Sequence, residues 1–446
     1  MRETDVIPIL STASNGHVVE SYHEAVMALQ AEGFDVQHVG LSSNLWYPGE
    51  ASETYQNFKY AWHNIPRPSG RTSFWWHTED AEREFVQAMP VIATFVQARL
   101  SEHAPKVFLI ADDTGPLEVF LIRLCHGQQI PVILIEHGYG FAFGNKNNFL
   151  IRKRLYRRLV AFSRKALHRT RQRLTSQSKH EESGCRTNGL PEVKPFGLNG
   201  HTIVCTYSQL TENILKSYGV PPQSIRSTGY PYFDKFIRMR HHQTYRKRQP
   251  DASRKKILVF SGGYGIFKRQ LDHVQKFYQF LILLYQQLSQ REFEVTVRLK
   301  PGEDPLTFLQ PDILAQFQQL NICYDDNTAM FCAKAHHYDL VIGDVSTLHF
   351  ESILLGVPSL LFEQMVGHRQ QKFNVISILT ETLGVLTIDE QASNINRIIR
   401  QALSPSYIET LVKNLDKHQK TLFHTLDGKA GYRVGQVIKE VAIFKE

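Results

Sequence analysis

The sequence predicts an α/β protein with two Rossmann-like, doubly wound parallel-sheet domains that face a cleft, followed by a C-terminal helix. Short apolar runs alternate with amphipathic stretches along nearly all of the 446 residues. This alternation is typical of parallel sheets that carry helices on both faces. A basic, polar stretch at 238–256 separates two such blocks, and the chain is longer than one ordinary domain. We therefore predict a first domain over 1–240, a linker over 241–254, a second domain over 255–425 and a C-terminal helix over 426–446.

The predicted strands are apolar runs bounded by polar or turn residues. In the first block they are DVIPIL, DVQHVGL, KVFLIA, IPVILIE and TIVCTY, and in the second they are KKILVFS, FEVTVRL, LNICYD, YDLVIGD and VPSLLF. Helices are predicted between them, where apolar residues recur at helical spacing and share one face. In the first helix these residues are Val18, Tyr22, Val26 and Leu29.

Composition predicts a globular protein without a disulfide framework or a zinc site. Hydrophobic residues make up 42% of the chain and charged residues 21%, which are ordinary values. No apolar run approaches the about 18 residues of a transmembrane helix. The N-terminus lacks the pattern of a signal peptide, and the five cysteines are scattered. We therefore expect a cytoplasmic protein.

Positive charge is concentrated in one segment. Residues 152–179 contain eleven Lys or Arg and no Asp or Glu, whereas the whole chain has a net charge of +8. The stretch 149–175 has an apolar stripe and a basic remainder, which predicts a helix on an anionic surface at the inner face of the membrane. A core-facing helix with a solvated basic side explains the same pattern. No nucleic-acid motif accompanies the basic residues, so we expect no nucleic-acid partner.

The most specific motif is LVIGDVSTLHFESILLGVPSLLFE, residues 340–363. It predicts a strand, a tight turn, a helix that begins at Ser346, and a second strand. Ligands of open parallel sheets bind beyond the carboxyl ends of the strands, where Ser346 and Thr347 would cap the helix and hold a phosphate. Glu351 follows Ser346 by five residues, too far for a capping box. We predict that its carboxylate holds a sugar hydroxyl.

Two further strand ends in the second block carry candidate donor-binding residues. Gly262 and Gly263 follow KKILVFS and would let backbone N–H groups approach an anion. A plain strand-to-helix turn has the same pattern. Arg298 and Lys300 share one side of the strand FEVTVRL, where a diphosphate would pass. A solvated strand end explains these two cations equally well.

The first block offers a candidate base. His137 follows the strand IPVILIE and precedes Gly138, which predicts an imidazole at the edge of the cleft. Imidazole is the usual general base near neutral pH, so His137 is the candidate catalytic residue, with a structural histidine as the alternative. Asn15, Gly16 and His17 follow the first strand and are predicted to line the acceptor side, although Asn15 also suits an N-cap.

Together these motifs resemble those of the GT-B superfamily of sugar transferases. The likeness is strongest to the bacterial branch with capsule-polysaccharide transferases, Kdo transferases and CDP-glycerol glycerophosphotransferases. The similar segments are IPVILIEHG, LTENILKSYGVPPQSIRSTGYPYFD, DLVIGDVSTLHFESILLGVP and LDGKAGYRVGQVI. The resemblance implies that His137 acts as the base on the acceptor hydroxyl and that no metal or other cofactor is needed. The donor site that it implies consists of Gly262, Gly263, Arg298, Lys300, Ser346, Thr347 and Glu351.

The resemblance also indicates the donor. Lys300-Pro301 stands where the family often has His-Pro, which favours a nucleotide sugar over CDP-glycerol. We predict a metal-independent glycosyltransferase that moves a sugar from a nucleotide-sugar donor to a glycan or lipid-linked hydroxyl acceptor in surface polysaccharide or glycan biosynthesis. The alternatives are a CDP-glycerol glycerophosphotransferase-like enzyme, a UDP-GlcNAc 2-epimerase-like enzyme and a non-enzymatic nucleic-acid-binding protein. The epimerase is disfavoured because DVST stands where a DSGG turn is expected and no HRREN-like segment occurs.

Overall fold

The computed structural model contains two compact units. The described residues are 6–13, 16–42, 61–65, 79–111, 113, 116–136, 197–198, 203–241, 254–261, 271–288, 292–299, 309–320, 322–325, 334–362, 374–388 and 394–443. Unit 1 contains Met1–Tyr232 and Lys429–Glu446, and unit 2 contains Phe233–Gly428. These divisions differ from the predicted domain limits at 240 and 425, because the C-terminal helix belongs to the first unit.

Unit 1 is built on a parallel sheet of seven strands in the order β3-β2-β1-β4-β5-β6-β7. The strands are β1 Val6–Ala13, β2 Asp35–Ser42, β3 Ala61–Asn64, β4 Val107–Ile110, β5 Val132–Ile135, β6 Ile203–Thr206 and β7 Ile225–Ser227. Its helices are α1 Gly16–Ala31, α2 Glu79–His103, α3 Pro116–Gly127, α4 Gln209–Ser217 and, from the end of the chain, α12 Ala430–Ile443. The strand order reverses at β1 and β4, as in a doubly wound sheet.

Helices cover both faces of this sheet. On one face, Val96 of α2 and Leu121 of α3 pack with Phe108 of β4 in one hydrophobic cluster. On the other face, α1 and α12 pack with Leu109 and Ile133 in a second cluster. The central strands β4, β5 and β6 are therefore buried along their whole length, which is why their sequences are continuous apolar runs.

The contact between α1 and α12 depends on two glycines. A Cβ on Gly431 would lie 2.7 Å from Glu24 Cβ and 2.8 Å from the Glu24 carbonyl carbon, which is closer than real Cβ atoms approach. A Cβ on Gly435 would lie 3.2 Å from the Ala25 carbonyl oxygen. The small residues let the two backbones approach, so that Val434 and Ile438 reach the core of unit 1.

Unit 2 is built on a parallel sheet of six strands in the order β10-β9-β8-β11-β12-β13. The strands are β8 Lys255–Phe260, β9 Phe293–Arg298, β10 Cys323–Tyr324, β11 Leu340–Gly343, β12 Ser359–Phe362 and β13 Leu386–Ile388. The helices are α5 Asp234–His241, α6 Leu271–Gln287, α7 Pro311–Gln318, α8 Leu348–Leu354, α9 Asn374–Ser377, α10 Ile395–Ala402 and α11 Pro405–Phe423. The order reverses between β8 and β11, so this pair is the topological switch point of the sheet.

The predicted fold class is confirmed: two parallel α/β sheets are followed by a C-terminal helix that begins at Ala430. The predicted face of α1 is also confirmed, since Val18, Tyr22, Val26 and Leu29 are all buried. The sequence did not predict β3, β7 and β13, which lie at three of the sheet edges. Each has only three or four residues, too few to show an alternating pattern. None of the described helices is long and apolar enough to span a membrane.

The α1–α12 contact gives a stability prediction. Gly431→Ala should destabilise the protein by about 1–3 kcal/mol, because its Cβ overlaps the Glu24 backbone and forces the two helices apart. The matched control is Gly127→Ala at the end of α3, where a Cβ meets nothing within 4 Å. Urea unfolding measures both changes. Equal stability of the two variants would contradict the close helix contact.

Candidate functional site

The structure describes part of the predicted site. Gly262, Gly263, Lys300, Asn15, His137 and the basic stretch 149–175 lie outside the described residues. Gly16 and His17 form the first turn of α1, where only their backbone is described. Arg298, Ser346, Thr347 and Glu351 are described, and all four lie at the carboxyl ends of unit 2 strands or just beyond.

The switch point of unit 2 requires a glycine. Gly343, the last residue of β11, pairs with Phe260, the last residue of β8. A Cβ on Gly343 would lie 2.4 Å from the Phe260 ring, so no other residue fits without a shift of that ring. The Phe260 ring also meets the His349 ring edge to face, with centroids 5.1 Å apart. The turn after β11 therefore begins beside two packed rings, those of Phe260 and His349.

The residues after β11 form a half-buried turn with a buried carboxylate behind it. Helix α8 begins at Leu348 rather than at Ser346, and Ser346 Oγ accepts the Leu348 N–H at 3.3 Å. Thr347 does not cap the helix with its side chain; its hydroxyl donates to Glu351 Oε1 at 3.3 Å. The side chain of Glu351 is buried, whereas Ser346 and Thr347 are half-buried. Thr347 is therefore the N-cap residue without a side-chain cap bond, and Ser346 contacts only the first residue of the helix.

His349, which sequence reasoning did not single out, holds this turn in place. Its Nε2 lies 2.8 Å from the carbonyl oxygen of Asp344, which only accepts, so Nε2 carries the proton. Its Nδ1 lies 2.5 Å from Ser359 Oγ and accepts the hydroxyl proton. Burial lowers the pKa of His349 to about 4, and bonds to the backbone at Asp344 and Gly343 offset this only in part. The ring is therefore neutral near pH 7.

The hydrogen bonds continue away from the turn across the sheet. The Ser359 carbonyl oxygen on β12 accepts the Tyr407 hydroxyl at 2.9 Å, and that hydroxyl accepts the Leu386 N–H of β13 at 2.9 Å. Burial raises the pKa of Tyr407 to about 12, so it keeps its proton. Three buried side chains and the backbone thus connect the edge strand to the turn after β11. A chain of satisfied buried bonds fixes the position of each member.

The predicted cation Arg298 is part of a charge cluster at the ends of β9 and β10. Its Nη1 lies 3.0 Å from Asp325 Oδ2, and Lys334 Nζ lies 2.6 Å from Asp325 Oδ1. Burial, and next the Asp325 charge, raise the pKa of the nearby Tyr338 to about 12, so its phenol stays neutral. Two cations thus share one carboxylate. Neither Asp325 nor Lys334 was predicted from the sequence.

Unit 1 has two buried carboxyl groups beyond neighbouring strands. Asp113 follows β4, and its Oδ2 accepts the Gly197 N–H at 2.8 Å. Glu136 follows β5, and its Oε2 accepts the Tyr207 N–H at 2.7 Å. Burial raises the pKa of Glu136 to about 8. The sequence analysis selected His137 rather than Glu136. The signal that would have pointed to Glu136 is a carboxyl residue directly after a continuous apolar strand.

The part of the chain that the structure describes contains no group of three His, Cys, Asp or Glu side chains that could hold a metal ion. The predicted independence from metal stays a prediction, because several of the predicted site residues lie outside that part.

Several solved structures are similar to this chain in fold. A UDP-GlcNAc 2-epimerase from Neisseria meningitidis bound to UDP-GlcNAc is 12% identical, with a TM-score of 0.57 over 97% of this chain and 99% of that one. A second UDP-N-acetylglucosamine 2-epimerase is 12% identical, with a TM-score of 0.58 over 99% and 97% of the two chains. S. aureus MnaA with UDP is 11% identical, with a TM-score of 0.57 over 97% and 96%.

These similarities confirm the predicted two-domain GT-B type of fold. At such low identity they show the fold alone. No protein-family model matches the sequence. No curated protein matches it either.

The neutral state of His349 gives a pH prediction. The unfolded chain binds a proton on this histidine near pH ~6.5, but the folded protein does so only near about 4. The unfolded state therefore binds more protons in this range, and the stabilisation present above about 6.5 is lost as the pH falls. The stability advantage of the wild type over His349→Gln should shrink by about 1.4 kcal/mol per pH unit on acidification.

Urea unfolding of both proteins at about pH 7, 6 and 5 checks this. The other histidines are common to the two proteins, so their contributions cancel in the difference. A stability difference that stays constant over this range would contradict the buried neutral ring.

Proposed function

We propose that the protein is a glycosyltransferase that moves a sugar from a nucleotide-sugar donor to a hydroxyl acceptor in surface polysaccharide or glycan biosynthesis. The observation that carries this proposal is the buried carboxylate of Glu351 behind the half-buried hydroxyls of Ser346 and Thr347. These groups lie directly after β11, beside the switch point, where open parallel sheets bind nucleotides.

Glu351 suits the ribose of the donor. A carboxylate only accepts hydrogen bonds and has about four lone-pair sites, and sugar hydroxyls are donors. Thr347 donates to Glu351 Oε1 at 3.3 Å. The His349 chain holds the turn in front of this carboxylate, so the site is organised before the ligand arrives.

The donor diphosphate would lie beside the ends of β8 and β9. The cations Arg298 and Lys334 lie at this edge of the sheet around Asp325, and positive charge there would favour an anion. Gly262, Gly263 and Lys300 follow the same two strands in the sequence and are proposed to contact the phosphates. Fixed positive charge is effective in such a reaction because negative charge develops on the departing diphosphate.

The acceptor is proposed to bind unit 1, at the strand ends that precede Asn15, Gly16, His17 and His137. The acceptor hydroxyl attacks the anomeric carbon, and the family resemblance assigns its proton to His137. The basic segment 149–175 would hold the protein at an anionic membrane surface, which suits a lipid-linked acceptor. Co-sedimentation with vesicles that contain anionic lipid, compared with neutral vesicles, tests this contact.

A 2-epimerase is the second candidate, since the similar solved structures include proteins of that name. The two reactions differ in one simple requirement. A transferase releases the nucleotide only when an acceptor is present, whereas an epimerase converts the nucleotide sugar without one. Turnover of a nucleotide sugar with no acceptor would therefore favour the epimerase.

A thermal-shift experiment tests the donor site. UDP, CDP and GDP and their sugar conjugates are screened, and one class should stabilise the wild type by roughly 2.7 kcal/mol at 100 times its Kd. Glu351→Gln should lose most of this shift, because an amide N–H2 replaces an acceptor oxygen that faces the ribose.

The matched control is Glu409→Gln, an exposed carboxyl on α11 of the same unit, which should respond like the wild type. Stabilisation by nucleotides that is equal in both variants would remove Glu351 from the site. The absence of any nucleotide effect on the wild type would contradict the proposed function.

A further inference from the structure

The carboxyl group of Glu136 is buried just beyond β5 of unit 1 and has a hydrogen-bond partner on only one of its oxygens among the described residues. The residue is 1% exposed, and one oxygen, Oε2, accepts the Tyr207 N–H at 2.7 Å. The other oxygen, Oε1, has no hydrogen-bond partner among the described residues. Thr211 lies close, but its hydroxyl donates to the Ser208 carbonyl oxygen at 2.9 Å. A buried polar atom without a partner costs stability, and proteins keep such atoms mainly where they have a task.

The surroundings keep this carboxyl group neutral below about pH 8. Burial raises the pKa of Glu136 to about 8, and the Tyr207 N–H, which donates to the carboxyl group, opposes the shift only in part. Within the described residues no charged group contributes to that shift. On the neighbouring strand β6, burial raises the pKa of Cys205 to about 12, so its thiol is neutral too. A base that gains and loses its proton near neutral pH is the most effective kind.

The position of Glu136 fits a task at the strand ends. Glu136 follows β5, which lies between β4 and β6 in the middle of the sheet. Its Oε2 accepts the N–H of Tyr207, in the short connection between β6 and α4. The ligands of such sheets bind beyond the carboxyl ends of the strands. The bond to the Tyr207 N–H fixes the orientation of the carboxyl group, and Oε1 is left with unused hydrogen-bonding capacity among the described residues.

We propose that Glu136 is the base that takes the proton from the acceptor hydroxyl, through Oε1. This assignment rests on the proposed function. In the reaction, the acceptor oxygen forms a bond to the anomeric carbon while its proton moves to Glu136 Oε1. The bond between that carbon and the diphosphate oxygen breaks, and its electron pair leaves with the nucleoside diphosphate. Glu136 then returns the proton to water.

Glu136 and His137 compete for this role, since they are adjacent in the sequence. Of the two, only Glu136 lies among the described residues. Glu136 has the raised pKa and the oxygen without a partner. His137 then has another role or a structural one.

The test compares Glu136→Gln and His137→Ala with the wild type in acceptor-dependent transfer. The wild-type kcat/KM should rise about tenfold per pH unit up to a pKa of about 8 and then level off. In Glu136→Gln this rise should disappear and kcat should fall at least about a hundredfold. Nucleotide stabilisation should stay as in the wild type, because the donor site lies in unit 2.

The matched control is Glu102→Gln, whose carboxyl lies at the end of α2 and is 51% exposed. It should keep the wild-type rate and pH profile. A Glu136→Gln variant with wild-type kcat and pH profile would overturn the proposal. So would a His137→Ala variant that loses the pH dependence while Glu136→Gln keeps it.

A second variant covers the case in which Glu136→Gln does not fold. Glu136→Asp keeps the acid but moves it back by one methylene, so it should keep the rise with pH and lose at least about tenfold in kcat. Wild-type kcat in this variant would overturn the proposal. If no nucleotide sugar stabilises the wild type, the proposed function itself fails; if transfer occurs without Glu136, only this inference fails.

Discussion

The pairing of β8 with β11 is the constraint on which the candidate donor site depends. Gly343 has no Cβ, and this lets the Phe260 ring lie against its backbone at the switch point of the sheet. The same ring packs on His349, which in turn holds the Asp344 carbonyl. The position of the turn in front of Glu351 therefore depends on the close contact between Gly343 and the Phe260 ring. A larger residue at position 343 would displace this ring and, with it, the turn.

Two buried ionisable groups differ in whether all their polar atoms have hydrogen-bond partners among the described residues. We call the hydrogen-bond network closed where they all do and open where one does not. Burial favours the neutral form of both His349 and Glu136. Both ring nitrogens of His349 have partners, so the histidine acts as a fixed connector between β12 and the turn. Glu136 has a partner on one oxygen only. A closed network specifies a structure, whereas an open one leaves an atom that is able to exchange a proton.

The sequence predicts features that depend on local pattern and misses those that depend on distant partners. The buried face of α1 and the presence of a C-terminal helix were predicted, and that helix spans Ala430–Ile443 within the predicted range 426–446. Ser346 was predicted to begin the helix, whereas α8 begins at Leu348 and Ser346 Oγ accepts the Leu348 N–H. The role of His349 was missed because its partner Ser359 lies on the next strand and is fixed by Tyr407, 48 residues further on. Arg298 was noticed for its charge, but its partner Asp325 directly follows another strand, β10.

The order of the units along the chain also has a physical basis. Unit 2 lies between two parts of unit 1 in the sequence. Such an arrangement requires the two ends of the inserted unit to be adjacent. They are: a Cβ on Gly428 would lie 3.6 Å from the carbonyl oxygen of Asp234, which begins α5. The chain therefore leaves unit 2 beside the point where it entered. The last helix then completes the core of unit 1 through Val434 and Ile438, so the proposed acceptor unit becomes whole only when the last residues of the chain are in place.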